Sequence, residues 1–374
     1  MNPISLANQS LAELSNWAMY SAIAVYLLAF LAACAEWTFG TRGAIARVSE
    51  KDSKTAAAIR LEEPAEAAER HSRTGNAAAR ETSGGGTTVL TPPASAPPKR
   101  PEKPGAPTDG PGAAGDIPKA DLVGRIAVSL TALAFLLHLT SVVVRGLAVG
   151  RPPWGNMYEF STAFALMATG AYLGLLAARK PVRWLGVPVL FSVLVTLGLA
   201  VSVLYVNDAQ LVPALHSYWL WIHVSAAIIS GGIFHTAAVV TVLFLARERW
   251  EAAIASGRSG GRLATVWQRL PSAQTLDKLS YRLTALVFPL WTFAVIAGAV
   301  WAEAAWGRYW GWDPKETWAF ITWVAYAAYL HARATAGWKG RRAAVIGLVA
   351  FAAFVFNYYG VNIFITGLHS YAGV

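Results

Sequence analysis

The chain is poor in charged residues and in cysteine. Only 14% of its 374 residues are Asp, Glu, Lys or Arg, whereas a soluble domain carries about 25%. Its single cysteine, Cys34, excludes an intramolecular disulfide, a Cys-x-x-Cys redox pair and a thiolate metal site within the chain. Any thiol-dependent chemistry in which the protein takes part must therefore use the thiols of another protein.

Apolar residues make up 55% of the chain and gather in eight long runs. Each run is long enough to cross about 30 Å of hydrocarbon, and backbone hydrogen bonding in lipid requires such segments to be helical. The sequence therefore predicts an all-α fold, a polytopic transmembrane bundle of about eight helices. The runs cover residues 17–39, 122–149, 157–178, 184–206, 218–246, 283–306, 317–336 and 344–368.

One long segment, residues 40–118, differs from the rest in composition. It is rich in Ala, Pro, Gly, Ser and charged residues, and such a segment buries too little apolar surface to offset its ordering entropy. We predict a disordered cytoplasmic insert here. The chain then divides into an N-terminal transmembrane helix (1–39), the insert (40–118) and a transmembrane domain (119–374).

The net charge of +10 indicates orientation. In a soluble protein it would suggest a nucleic-acid partner, but here Lys and Arg concentrate in alternate connections, as cytoplasmic loops do. We therefore expect no nucleic acid, and both termini on the outer side of a bacterial plasma membrane. Arg145 and Arg151 are outer-side exceptions that suggest an anionic ligand. The basic connections are 179–183, 247–282 and 339–342.

The most informative segment is the Trp-rich segment, residues 301–318, with five tryptophans and a tyrosine. Interfacial Trp is ordinary in membrane proteins, but this density suits a large planar apolar ligand. Asp313, followed by Pro and by Glu316, has the pattern of an N-cap with a capping box. The candidate ligand-binding residues of the segment are Trp306, Gly307, Arg308, Trp310, Gly311, Trp312 and Asp313.

Two histidines flank this segment in the sequence and share its predicted outer face. A lone histidine is more often packed than ligating, but His223 and His369 beside an aromatic platform suit bis-histidine haem ligation. His331 lies near the inner end of a predicted helix, where polar residues are costly and often functional. No role is assigned to the remaining membrane or outer-side histidines, His138, His216 and His235.

The run Trp306-Gly-Arg-Tyr-Trp310-Gly-Trp312-Asp313 resembles the tryptophan-rich WWD motif of haem-handling proteins. Further segments are similar to the CcsA/ResC family of System II cytochrome c maturation, whose actinobacterial members are often labelled CcsB. The similarity extends from about residue 122 onward and excludes the 40–118 insert. The further segments are 156–159, 211–224, 329–333 and 367–371.

This resemblance implies a function and a set of partners. His223 and His369 match the family's external haem ligands, and His331 matches a transmembrane histidine of a second, inner haem site. The implied activity is presentation of haem b on the outer face for thioether attachment to apocytochrome c, as a subunit of a cytochrome c synthase. The implied partners are a separate CcsB/ResB-type membrane subunit, the apocytochrome and a thioredoxin-like protein that reduces its cysteines.

Alternatives remain open at this point. A System I protein that delivers haem to a chaperone shares the Trp motif and the flanking histidines. A quinone-linked b-type cytochrome subunit would use the histidines for electron transfer, and a transporter would use the aromatic residues for another planar ligand. If haem binds, the candidates to pair with its propionates are Arg145, Arg151, Arg308 and Lys315.

Overall fold

A computed structural model describes residues 8–38, 118–206, 217–257 and 264–369. Throughout these residues the regular structure is helical, which confirms the predicted all-α fold. A 3-10 turn at Arg183–Leu185 precedes α4, and a π-helical turn at Phe356–Gly360 separates α9 from α10. The helices are α1 (Asn8–Thr38), α2 (Pro118–Val149), α3 (Met157–Ala177), α4 (Gly186–Ser202), α5 (Tyr218–Ala255), α6 (Ala264–Trp267), α7 (Ala273–Trp306), α8 (Pro314–Ala334), α9 (Arg341–Val355) and α10 (Val361–Phe364).

The described residues contain seven helical segments that are long and apolar enough to cross a membrane. These are α1 to α5, α7, and the segment from α9 through α10. The eighth predicted run, 317–336, falls on α8, which is 21 residues long. The prediction of a polytopic helical membrane protein is therefore confirmed.

The centre of the bundle is the pair α5 and α7, whose contact is the most extensive between helices of the described residues. Helix α5 also packs against α3 and α9, and small residues permit the close approach. A Cβ at Gly232 would lie 2.7 Å from the Cβ of Met167 in α3, and a Cβ at Gly231 would overlap the ring of Phe354 in α9. These glycines let α3 and α9 lie directly on α5.

Ion pairs tie the helices together at the predicted cytoplasmic end. Arg183 contacts Glu36 at 2.8 Å and Asp121 at 2.9 Å, which joins α1, α2 and the start of α4. Arg333 of α8 contacts Asp277 of α7 at 2.6 Å. Because these pairs are largely shielded from water, their attraction is screened less than that of surface pairs.

Some predicted features lie outside the described residues. The insert, apart from Pro118, is one of them, and His216 is another. The disorder of the insert and the orientation of the termini stay predictions.

Candidate functional site

A cavity opens among α3, α5, α7, α8 and the end of α9, at the predicted outer side. It encloses about 1050 Å³ of empty space, including its opening to solvent. Eight aromatic side chains line its wall, which suits a large planar apolar ligand. These residues are Trp154, Phe160, Trp291, Trp301, Trp306, Trp310, Phe354 and Tyr358.

His223 enters the cavity from the first turns of α5. Its Nδ1 lies 2.7 Å from the carbonyl oxygen of Ala294 in α7. A carbonyl only accepts, so Nδ1 donates and the lone pair remains on Nε2. The imidazole stacks on Trp301 with ring centroids 6.0 Å apart. A Cβ at Gly298 would lie 2.7 Å from the ring, so only glycine leaves room for it there.

His369 reaches the same cavity from the segment after α10. Its Nδ1 lies 2.7 Å from Oδ2 of Asp313, and the other carboxylate oxygen accepts the backbone N–H of Leu368 at 2.7 Å. The imidazole packs edge-on against Trp301 and Trp306, at 5.6 Å and 5.0 Å between centroids. Carboxylate-held imidazoles of this kind are typical of metal-ligating histidines.

The protonation state of the His369 imidazole suits metal binding. Burial lowers the pKa of its imidazole, and the hydrogen bond to Asp313 opposes this shift without cancelling it. Burial raises the pKa of the Asp313 carboxyl, but hydrogen bonds from His369 and from the N–H of Leu368 outweigh it and hold that pKa below its ordinary value. At neutral pH the pair is therefore a neutral imidazole that donates to a carboxylate, and neutral imidazole is the form that binds a metal.

The loop at residues 307–313 joins α7 to α8 and carries the centre of the Trp motif. Gly307 ends α7 at a φ of 69°, a left-handed conformation that favours glycine. Asp313 begins α8 with the predicted capping box, which is confirmed, because its carboxylate accepts the N–H of Lys315 and Glu316 accepts the N–H of Asp313. The cap fixes how the loop enters α8.

Glu316 has a larger role than sequence reasoning gave it. Beyond the cap, its carboxylate accepts the N–H of Gly311 at 2.8 Å and the guanidinium of Arg308 at 3.1 Å. A Cβ at Gly311 would overlap the Arg308 guanidinium, so a larger residue there would displace Arg308 from its present position. One carboxylate therefore holds the loop in a single arrangement.

The structure brings some of the predicted residues together and places others elsewhere. His223, His369, Trp306 and Trp310 line the cavity, whereas Gly307 and Gly311 shape the loop. Trp312 is 66% exposed and contacts Trp310 and Phe320. His331 is exposed on α8 and does not line the cavity. Of the unassigned histidines, His138 packs on Tyr26 and His235 lies against Phe164 and Phe351.

Sequence reasoning missed several cavity residues. Trp154 and Trp291 precede the Trp-rich segment and carried no recognisable motif. Asn357, Tyr358 and Asn362 belong to a long apolar run that predicts only a span. The signal that exists is the presence of two asparagines inside a membrane run, where a polar side chain needs a partner.

Comparison with known proteins agrees with this geometry. Residues 154–369 match the family of cytochrome C assembly proteins. The cytochrome c biogenesis protein CcsA of Synechococcus elongatus is 37% identical over 276 residues, which cover 64% of this chain and 85% of that protein. CcsA of Porphyra purpurea is 35% identical over 285 residues, 68% of this chain and 89% of that protein. The chain belongs to the cytochrome c assembly protein family, in its CcsA/ResC-type System II branch.

This family membership gives the general function, which is cytochrome c biogenesis. The matched range begins at Trp154 and ends at His369, so it starts and stops on cavity residues. Among solved structures, cytochrome c haem lyase CcmF superposes with a TM-score of 0.47 at 20% identity, over 64% of this chain and 41% of that chain.

Proposed function

We propose that the cavity binds haem as substrate, with His223 and His369 as the two axial ligands, and presents it at the outer face to apocytochrome c. The observation that carries this proposal is the arrangement of the two imidazoles. Each is held through Nδ1, one by a carbonyl and one by a carboxylate, and both pack on Trp301. Two oriented imidazoles in one aromatic cavity suit bis-histidine ligation.

The residues of the chain position the substrate and do little else. Bound haem b would supply two vinyl groups to which the reduced cysteines of the apocytochrome add. The tryptophans exclude water from the faces of the ring, and the held imidazoles limit its rotation. Orientation of two reactants is itself a large catalytic contribution, so the synthase activity needs no acid–base pair among these side chains.

The partners follow from the same proposal. His331 is exposed on α8, outside the cavity. This placement supports a second, inner haem site completed by a separate CcsB/ResB-type subunit. The apocytochrome cysteines must arrive reduced, and Cys34 cannot form a redox pair within the chain, so a thioredoxin-like protein is required.

Replacement of each ligand by glycine tests the proposal. His223→Gly and His369→Gly, each expressed in the full chain with its partner subunit, should lower cytochrome c maturation by roughly tenfold or more. Each leaves an open iron position, so added imidazole should restore part of the activity. Covalent haem in the cytochrome and the optical spectrum of the purified protein are the two measurements.

Two further variants serve as controls. Imidazole should not rescue Trp310→Ala or Asp313→Ala, because these changes remove the cavity wall or the helix cap rather than an iron ligand. Unchanged low-spin haem in both glycine variants would contradict the assignment. Redox cycling with a quinol, with no loss of maturation in the glycine variants, would instead indicate a b-type electron carrier.

A further inference from the structure

Three of the four cations suggested for an anionic ligand already have carboxylate partners. Arg145 and Arg151 both contact Glu159, at 3.3 Å and 2.7 Å, in a largely buried cluster. Arg308 contacts Glu316 at 3.1 Å and supports the 307–313 loop. Each of the three therefore has a carboxylate partner, with Arg145 and Arg151 sharing Glu159, and none of the three lines the cavity.

Lys315 differs from these arginines. Its side chain lines the cavity, and its Nζ lies 5.4 Å from the ring centroid of Tyr358. Tyr358 is itself fixed, because its hydroxyl donates to the carbonyl of Met157 at 2.6 Å and its ring stacks on Phe160 at 4.2 Å. No hydrogen bond or ion pair to Nζ is present among the described residues. An ammonium in such a site is costly without an anionic partner.

The π-helical turn adds two amides to the same cavity. Asn362 follows Asn357 by five positions, which in a regular α-helix would place the side chains about 140° apart. The turn replaces i→i+4 hydrogen bonds by i→i+5 bonds and so takes up one extra residue, and both side chains line the cavity. In each, Oδ1 is buried without a hydrogen-bond partner among the described residues. Since a side-chain amide turns about its last bond, either can present its NH₂ instead.

The polar groups of the cavity are complementary to an anion. The indole Nε1 atoms of Trp154 and Trp291 are also buried without a hydrogen-bond partner in the described residues. Glu316, the carboxylate that lines the cavity, is occupied by the hydrogen bonds of the loop. Lys315 and Asn362 additionally share a small hollow with Asp313, whose carboxylate oxygens are bonded to His369 and to the N–H of Leu368. A lysine, two amides and two indoles therefore line one cavity.

We infer that Lys315, with Asn357 and Asn362, binds the propionate carboxylates of the haem. This inference rests on the proposed function and deepens it. The propionates and the vinyl groups lie on opposite edges of the haem. A residue that binds the propionate edge therefore determines that the vinyl edge faces the other way. Lys315 is thus a positioning residue that directs the vinyl edge toward the apocytochrome.

A comparison of haem with its dimethyl ester, in which both propionates are neutral, distinguishes propionate binding by Lys315 from simple packing. We would titrate the purified full chain with each ligand and record the Soret spectrum. The wild type should bind haem roughly ten- to a hundredfold more tightly than the ester, as expected for charge-assisted hydrogen bonds. Lys315→Met should bring haem affinity down to that of the ester and leave ester affinity unchanged, while Lys315→Arg should retain the preference for haem.

Lys339→Met is the matched control, because it removes an exposed lysine that does not line the cavity and should leave the haem-to-ester ratio at the wild-type value. If Lys315→Met lowered the affinity for haem and the affinity for the ester equally, Lys315 would have only a packing role and the inference would be overturned. Equal wild-type affinities for haem and for the ester would overturn it as well. An anionic lipid bound at Lys315 would also give equal affinities. Failure of the wild type to give a bis-histidine spectrum with either ligand would instead refute the proposed function.

Discussion

At the scale of single residues, the position of the His223 ring depends on a glycine one helix away. Gly298 of α7 faces the ring, and a Cβ there would lie 2.7 Å from it. Gly298→Ala should therefore displace the imidazole from the Ala294 carbonyl and weaken haem binding by on the order of tenfold. An optical titration of the purified variant measures this loss.

The control uses a glycine in similar secondary structure but in open space. Gly198 of α4 has no atom within 4 Å of a Cβ built there, so Gly198→Ala should bind haem as the wild type does. Both substitutions favour a helix by roughly 0.5–1 kcal/mol, so stability alone predicts no loss in either. Equal affinities in the two variants would show that the Gly298 contact does not position His223.

Residue type and spacing predicted part of this site. The density of tryptophans identified Trp306 and Trp310, and the predicted outer-side position identified His223 and His369. All four line the cavity. The contact of His369 with Asp313 was not predictable, because it spans 56 positions and depends on where α10 ends. A pattern along one chain reports local periodicity, whereas a hydrogen bond between distant residues depends on the packing of the whole bundle.

At the scale of elements, the π-helical turn at Phe356–Gly360 sets the register of everything after it. Insertion of one alanine after Tyr359 adds a residue that the turn, already one residue longer than regular α-helix, has no room for, and it should rotate the following residues by about 100°. Asn362 would leave the cavity, and His369 would lose Asp313. We expect loss of bis-histidine haem at normal membrane abundance, measured by optical spectrum and immunoblot.

Tyr359→Phe is the companion variant for this insertion. It keeps the chain length and removes only a hydroxyl that lies 3.5 Å from Ser161, so its haem spectrum should match the wild type. Wild-type haem in the insertion variant would mean that the register set by the turn is not what places Asn362 and His369.

The apolar runs predicted the helices but not their ends or this turn. Helix α7 begins at Ala273, ten residues before the run at 283–306. The extra turns carry the charged residues Asp277, Lys278 and Arg282, so the apolar run is shorter than the helix. The π-helical turn lies inside an apolar run, and apolar composition does not distinguish α from π hydrogen bonding.

At the scale of the whole molecule, the orientation in the membrane decides whether the cavity can serve an outer-face reaction. Basic residues cluster in the connections after α3, after α5 and after α8, which predicts these as cytoplasmic. Alkaline phosphatase fused after residue 369 should therefore be active, and fusions within 40–118 or 258–263 inactive, with green fluorescent protein fusions giving the reverse. A cytoplasmic position for residue 369 would place the cavity on the wrong side.

The hydrogen bond between His369 and Asp313 also bears on how the protein is made. Asp313 begins α8, but its partner follows α10, after the last described span has been threaded into the bilayer. A nascent chain that has released α8 already has the tryptophans and one imidazole, yet lacks the second. Under the proposed ligation, the second iron ligand therefore enters the site only once that span is inserted, so an intermediate that ends before α10 holds a single ligand.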